Sequence, residues 1–333
     1  MIPEYVRTQA KLELARRSIW EYSKLRHPDF FKKEREYLKI ICDEIQEFTE
    51  QNEFRFLLLN MPPRHGKSFT VKNSVEWLFG HNPKLKIITG SYNEILSGIF
   101  ATQIRNTIQE EKTDNRIVYS DIFPNTKIKY GEASAKLWAL EGQEEKSYLA
   151  TSPTGTSTGL GADIVIIDDL IKNAEEAYNE LTLEKHWSWF TNTILSRLEG
   201  NDWKVIIVMT RWSEKDLAGR LLQSEYKNLV KQISFPVVQE DGSMLCDEIM
   251  NRETYELKIK EMNPDIAEAN YNQKLIDTKN RLYSEFKVWQ ELPKYNKKCN
   301  YSDTADTGTD YLCSINYIEY EKEGYITEIL FTQ

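Results

Sequence analysis

A lysine, a hydroxyl and two adjacent carboxylates are the groups in this chain whose types and order could do chemistry. Gly66-Lys67-Ser68 closes a polar turn that follows the apolar run Phe56 to Leu59, and a helical pattern continues from Phe69 to Phe79. Strand, phosphate-sized loop and helix form the context of a phosphate-binding loop. There the helix N-terminus and backbone N–H groups face the phosphates. Lys67 would reach the β- and γ-phosphates of ATP, and the Ser68 hydroxyl would hold Mg²⁺. Gly66, lacking a Cβ, would let the backbone approach. The first glycine usual in such loops is replaced by Met61, with Pro62 and Pro63 next. Gly-Lys-Ser by itself therefore also fits an ordinary strand-to-helix turn.

The second half of the chemistry lies about a hundred residues on. Asp163-Ile164-Val165-Ile166-Ile167-Asp168-Asp169 reads as a buried parallel strand ending in two carboxylates. Acidic residues at the carboxyl end of such a strand sit where α/β sheets bind ligands. Asp168 would join the Mg²⁺ shell, and Asp169 would orient and deprotonate an attacking water. A further apolar run, Lys204 to Met209, ends in Thr210-Arg211-Trp212. A polar residue at that tip can sense the γ-phosphate or its loss.

These groups need elements to position them. Leu85 to Tyr92 is another short strand, followed by a helix carrying Ile95, Ile99, Ile104 and Ile108. Strand then helix, repeated, predicts a mostly parallel α/β sheet flanked by helices. Residues 1–50 read as helical, from Gln9 to Leu25 and from Glu34 to Phe48. Their aromatics Trp20, Tyr22, Phe30 and Phe31 suit either a core or a face for a nucleotide base. Ile117 to Leu149 suggests smaller β elements, and Thr151 to Gly161 a polar loop entering the acidic strand. Glu175 to Leu198 reads as one long helix, and Ser213 as the cap of the next. Residues 51–235 thus form the ATPase core, 236–296 an extension and linker, and 297–333 the start of a new strand region.

The formal net charge is −9, which excludes a uniformly basic nucleic-acid surface. Four scattered cysteines, with no C-x-x-C pair, argue against zinc fingers and a disulfide scaffold. No apolar stretch is long enough to span a membrane, and the first residues lack a signal-peptide core. A cytoplasmic protein is the expectation.

Pro62 to Ser68, Gly159-Leu160-Gly161-Ala162-Asp163 running into Ile167-Asp168-Asp169, Met209 to Trp212, and Asp216-Leu217-Ala218-Gly219-Arg220 together closely resemble the large terminase subunit of tailed bacteriophages. The resemblance implies a RecA-like (additional-strand) P-loop ATPase that drives double-stranded DNA into the procapsid, followed by an RNase H-like nuclease domain. It implies Pro63, Arg64, His65, Gly66, Lys67, Ser68 and Phe69 as the nucleotide-binding set, with Arg64 on the γ-phosphate. Asp168 and Asp169 match the acidic pair, where many members have Asp-Glu, and Thr210-Arg211-Trp212 the coupling motif. Asp303 matches the first nuclease carboxylate, at a site using Mg²⁺ or Mn²⁺ in a longer chain, and Asp310 a recurrent aspartate nearby. Implied partners are the small terminase subunit, the portal protein and further copies in a ring, in the host bacterial cytoplasm. Some members carry a trans-acting arginine before the acidic strand; here none occurs between Arg116 and Arg197. Cutting activity is expected only of a longer chain.

Overall fold

Short apolar runs build a sheet of eight strands: β1 (Phe56–Asn60), β2 (Ile87–Ser91), β3 (Ile128–Ala133), β4 (Leu137–Leu140), β5 (Tyr148–Thr151), β6 (Ile164–Asp168), β7 (Lys204–Met209) and β8 (Val230–Ser234). The computed structural model describes residues 3–113, 116–155, 159–275, 289, 291–295, 297–303, 312–321 and 323–332. Strand order is β3-β4-β5-β2-β6-β7-β1-β8. Pairings from β5 through β8 are parallel; β3–β4 and β4–β5 are antiparallel. β7 lies between β1 and β6, so the strand leading to the lysine turn and the strand ending in the acids are not neighbours. This is the additional-strand arrangement of a RecA-like P-loop fold.

Alternation along the strands supplies both faces. Leu57, Leu59, Ile164, Ile166, Ile206 and Val208 pack with the helices α1 (Glu4–Arg17), α2 (Ile19–Arg26), α3 (Glu36–Glu50), α4 (Lys67–His81), α5 (Glu94–Ile108) and α6 (Tyr119–Ile122). Phe56, Leu58, Val165, Ile167, Val205 and Ile207 face α7 (Ala174–Tyr178), α8 (Glu180–Trp189) and α9 (Leu217–Gln223). Beyond β8, α10 (Arg252–Ile259) and α11 (Pro264–Asn272) close a smaller cluster of Val237, Met250, Tyr255 and Tyr271.

Three helical expectations are corrected by local capping. Ser18 ends α1 and caps α2, its hydroxyl accepting from Glu21 N–H, so the first helix is two. Asn179 likewise accepts from Thr182 N–H and divides α7 from α8; the chain then runs through a π turn at Phe190–Ile194. Asp216, not Ser213, caps α9. In each case a short polar side chain offers the backbone a better partner than helix continuation.

Residues 279–333 form a second compact unit. Its strands β9 (Lys298–Asp303), β10 (Leu312–Tyr320) and β11 (Glu323–Thr332) make an antiparallel meander in the order β11-β10-β9. One face carries a polar ladder: Ser302 and Ser314 hydroxyls lie 2.7 Å apart, and Asn300 donates to Asn316 at 2.9 Å.

Candidate nucleotide site

At the carboxyl ends of β1, β2, β6 and β7 lies a cleft of about 710 Å³. The sheet delivers the predicted groups to it. Asn60, fully buried at the end of β1, donates to Met209 C=O at 3.2 Å and accepts from Gln232 Nε2 at 3.0 Å. It thereby clamps β7, β1 and β8 beneath the turn. Arg64 and Gly66 both have positive φ, +67° and +91°, and α4 begins at Lys67. A non-glycine residue at positive φ stores strain of the kind found at ligand loops.

Pro63, Arg64, Lys67, Ser68, Asp168, Asp169 and Thr210 all line the cleft. Lys67 Nζ forms an ion pair with Asp169 Oδ2. The other oxygen, Oδ1, accepts from Thr210 N–H at 3.2 Å. One carboxylate therefore ties the lysine turn, the acidic strand and the tip of β7 together. Asp169 itself sits at φ +41°. Asp168 has a buried Oδ1 with no hydrogen-bond partner. Burial pushes its carboxyl up to about 6; the Asp169 charge adds to this, while Lys67 and the Ser68 hydroxyl beside it pull down. A buried, unpartnered carboxylate oxygen next to a serine hydroxyl is the hard-oxygen donor set Mg²⁺ takes. The residues present fit that ion.

The remaining members of the predicted set lie behind the cleft. His65 is fully buried, its Nδ1 2.9 Å from Pro63 C=O and its own carbonyl accepting from Tyr37 Oη at 3.1 Å. Burial holds its imidazole below the ordinary value. The Phe69 ring packs on His27, Phe30 and Phe31. His65, Gly66 and Phe69 can offer the cleft backbone N–H groups rather than side chains. A Cβ on Gly66 would lie 2.6 Å from the Phe30 ring. The glycine is thus required by its φ and by an aromatic brace, whether or not a phosphate approaches. Trp20, Tyr22 and Phe31 are buried, and with half-buried Phe30 they belong to the core around α2–α4.

Arg211 is buried; its Nε lies 3.5 Å from Asp216 Oδ2, and its N–H donates to Gln273 Oε1 at 3.1 Å. Asp216 also accepts from Trp212 and Ser213 N–H at 2.9 and 3.1 Å. The segment after β7 is held from both sides. Sequence reasoning missed Leu96, Ile99 and Phe100 of α5 as an apolar wall of the cleft, and Lys172 and Asn270 at its margin. The i, i+3, i+4 spacing of the first three was a signal; Asn270 carried none.

Arg105 donates to Ala133 and Ser134 C=O at 2.7 and 3.0 Å, and Arg116 pairs with Glu110 at 3.3 Å. In the second unit Asp303 ends β9, exposed and paired in register with Cys313. Among the described residues no cluster of three His, Cys, Asp or Glu could hold a metal ion. Asp310 and Thr156–Thr158 lie outside the described residues. No helix among those described is long and apolar enough to cross a membrane.

The fold and cleft define a class: an α/β P-loop NTPase with a mostly parallel, additional-strand sheet. No family model and no curated protein matches the chain. Solved structures do match. The HK97 bacteriophage large terminase aligns with TM-score 0.50 at 11% identity, over 89% of this chain and 62% of that one. The ATPase domain of the Thermus phage P74-26 large terminase aligns with TM-score 0.49 at 11% identity, over 72% and 93%. A large terminase from a thermophilic bacteriophage, solved with ATP-gamma-S, aligns with TM-score 0.47 at 10% identity, over 90% and 68%. At these identities the likeness is one of fold.

Proposed function

We propose that this chain is the ATPase of a DNA-packaging motor, hydrolysing ATP to move double-stranded DNA into a procapsid. The observation that carries the reading is the junction at Asp169, where Lys67 and Thr210 N–H meet one carboxylate. Water attacks the γ-phosphorus, the bond to the β–γ bridging oxygen breaks, and ADP leaves. Asp169 orients that water and accepts its proton. Lys67, released from Asp169 by the more strongly charged triphosphate, holds the β- and γ-oxygens, with Arg64 beside it on the loop. Ser68 and Asp168 would hold Mg²⁺, which when bound neutralises phosphate charge. Thr210, bonded through its N–H to the base, reports a change at Asp169 to Arg211 and so to Gln273 in the extension.

The fold likeness to HK97 large terminase and the motifs quoted above support packaging over other P-loop activities. By the same reading the working form is a ring of copies, with the small terminase subunit and the portal as partners. The meander β9-β10-β11, with Asp303 at the end of its first strand, is read as the opening of an RNase H-like nuclease domain. One carboxylate cannot hold two metals, so cutting would need further ligands. The test is DNA-stimulated ATP turnover. The wild type is expected to hydrolyse ATP faster with duplex DNA, and Lys67→Ala to lose at least about 10³-fold. Undiminished turnover in Lys67→Ala would refute the assignment, and separation of a forked duplex would point to a helicase instead.

A further inference from the structure

Charge around the cleft is unevenly committed. Lys67 is already paired with Asp169. Two other cations line the cleft, Arg64 on the phosphate loop and Lys172 beyond the acidic strand. Lys172 is exposed, and its ammonium has no ion-pair partner among the described residues. Its backbone, by contrast, is firmly held. Leu170 and Ile171, just before it, are buried at 1% and 6% exposure. Lys172 N–H donates to Glu176 Oε2 at 2.8 Å, while Asn173 caps α7 by accepting from Glu176 N–H at 3.0 Å. This reciprocal cap fixes the start of α7, holds Lys172 three residues after Asp169, and leaves its ammonium at the cleft.

We propose that Lys172 is a second phosphate-binding cation of the site, donating from Nζ to an oxygen of the triphosphate's terminal group. The proposal rests on the hydrolase reading above. Asp169 brings a negative charge toward the γ-phosphate, and negative charge grows on the bridging oxygen as the P–O bond breaks. A cation on the same segment as the base offsets that charge from within the subunit. This matters here because no arginine occurs between Arg116 and Arg197. A lysine on a short, capped tether is better placed for such a task than one on a free loop, because little ordering remains to be done on binding.

The experiment compares wild type with Lys172→Ala, Lys172→Arg and Lys67→Ala. It measures Mg-ATP turnover with duplex DNA, binding of ADP and of ATP-gamma-S by calorimetry, and thermal midpoint. Lys172→Ala is expected to lower kcat about tenfold or more and to weaken ATP-gamma-S while leaving ADP affinity and the midpoint unchanged. Lys172→Arg is expected to restore most of the loss. Unchanged kcat and ATP-gamma-S affinity in Lys172→Ala would overturn the proposal, as would equal losses for both nucleotides. In either of those cases an inactive Lys67→Ala leaves the hydrolase reading standing. A wild type without turnover would remove that reading and this proposal together.

Discussion

Two strand-end aspartates in this chain have very different surroundings. Asp169, just past β6, meets a lysine from one neighbouring element and a backbone N–H from another. Asp303, at the end of β9, is exposed, beside a ladder of serines and asparagines. The residue type is the same, and each sits where a strand finishes. What differs is exposure and the opposite charge that α4 delivers to one carboxylate and not to the other.

The sharpest way to break this contrast is to neutralise each acid in turn. Asp169→Asn is expected to cut ATP turnover by about 10³-fold or more, whereas Asp303→Asn should leave it at the wild-type rate. Equal effects would erase the distinction. The next effect concerns the support of the first site. Asp216 is fully buried and holds Arg211, Trp212 and Ser213. Asp216→Ala is expected to destabilise the first unit by about 3 kcal/mol, read by chemical denaturation, because it strands a buried guanidinium. A loss below about 1 kcal/mol would show that the segment after β7 holds itself.

The smallest effect is a pH dependence. Burial, with the Asp169 charge beside it, pushes the Asp168 carboxyl in the folded state from its ordinary value of 3.8 up to about 6. The folded chain then binds the proton more tightly than the unfolded one between those values, so stability falls as pH rises through that window. Without divalent metal, Asp168→Asn is expected to gain about 1–3 kcal/mol above pH 6 and nothing below about pH 4. Thermal melts at both pH values with a chelator check this; a gain that is flat with pH would show that burial is not the cause. The same substitution should weaken Mg²⁺ binding.

Much of the first site was legible because its elements announce themselves locally. The runs ending in Asn60, Asp168 and Met209 are too apolar and too short for anything but buried strands, and each ends in or runs straight into a polar residue. Less legible was whatever depends on partners distant in the chain. Tyr148–Thr151 reads as part of a peripheral β region, yet pairs in parallel with β2, because pairing is chosen by the sheet. The reason for Gly66 lies in Phe30, which sits thirty-six residues earlier. Breaks at Ser18 and Asn179 were hidden inside runs of good helix formers. The nearness of Gln273 to Arg211 arises from the packing of a whole separate cluster.

The strand interposed between β1 and β6 acts as a ruler. Each strand spacing is about 4.8 Å, so the backbones of β1 and β6 lie roughly 10 Å apart across the sheet, a gap that the Lys67 side chain closes to reach Asp169. That separation does not depend on how much chain connects them. Lengthening or shortening the hairpin β3–β4, or the loop before β6, would leave that gauge unchanged, so peripheral loops can be rewritten without moving the walls of the cleft.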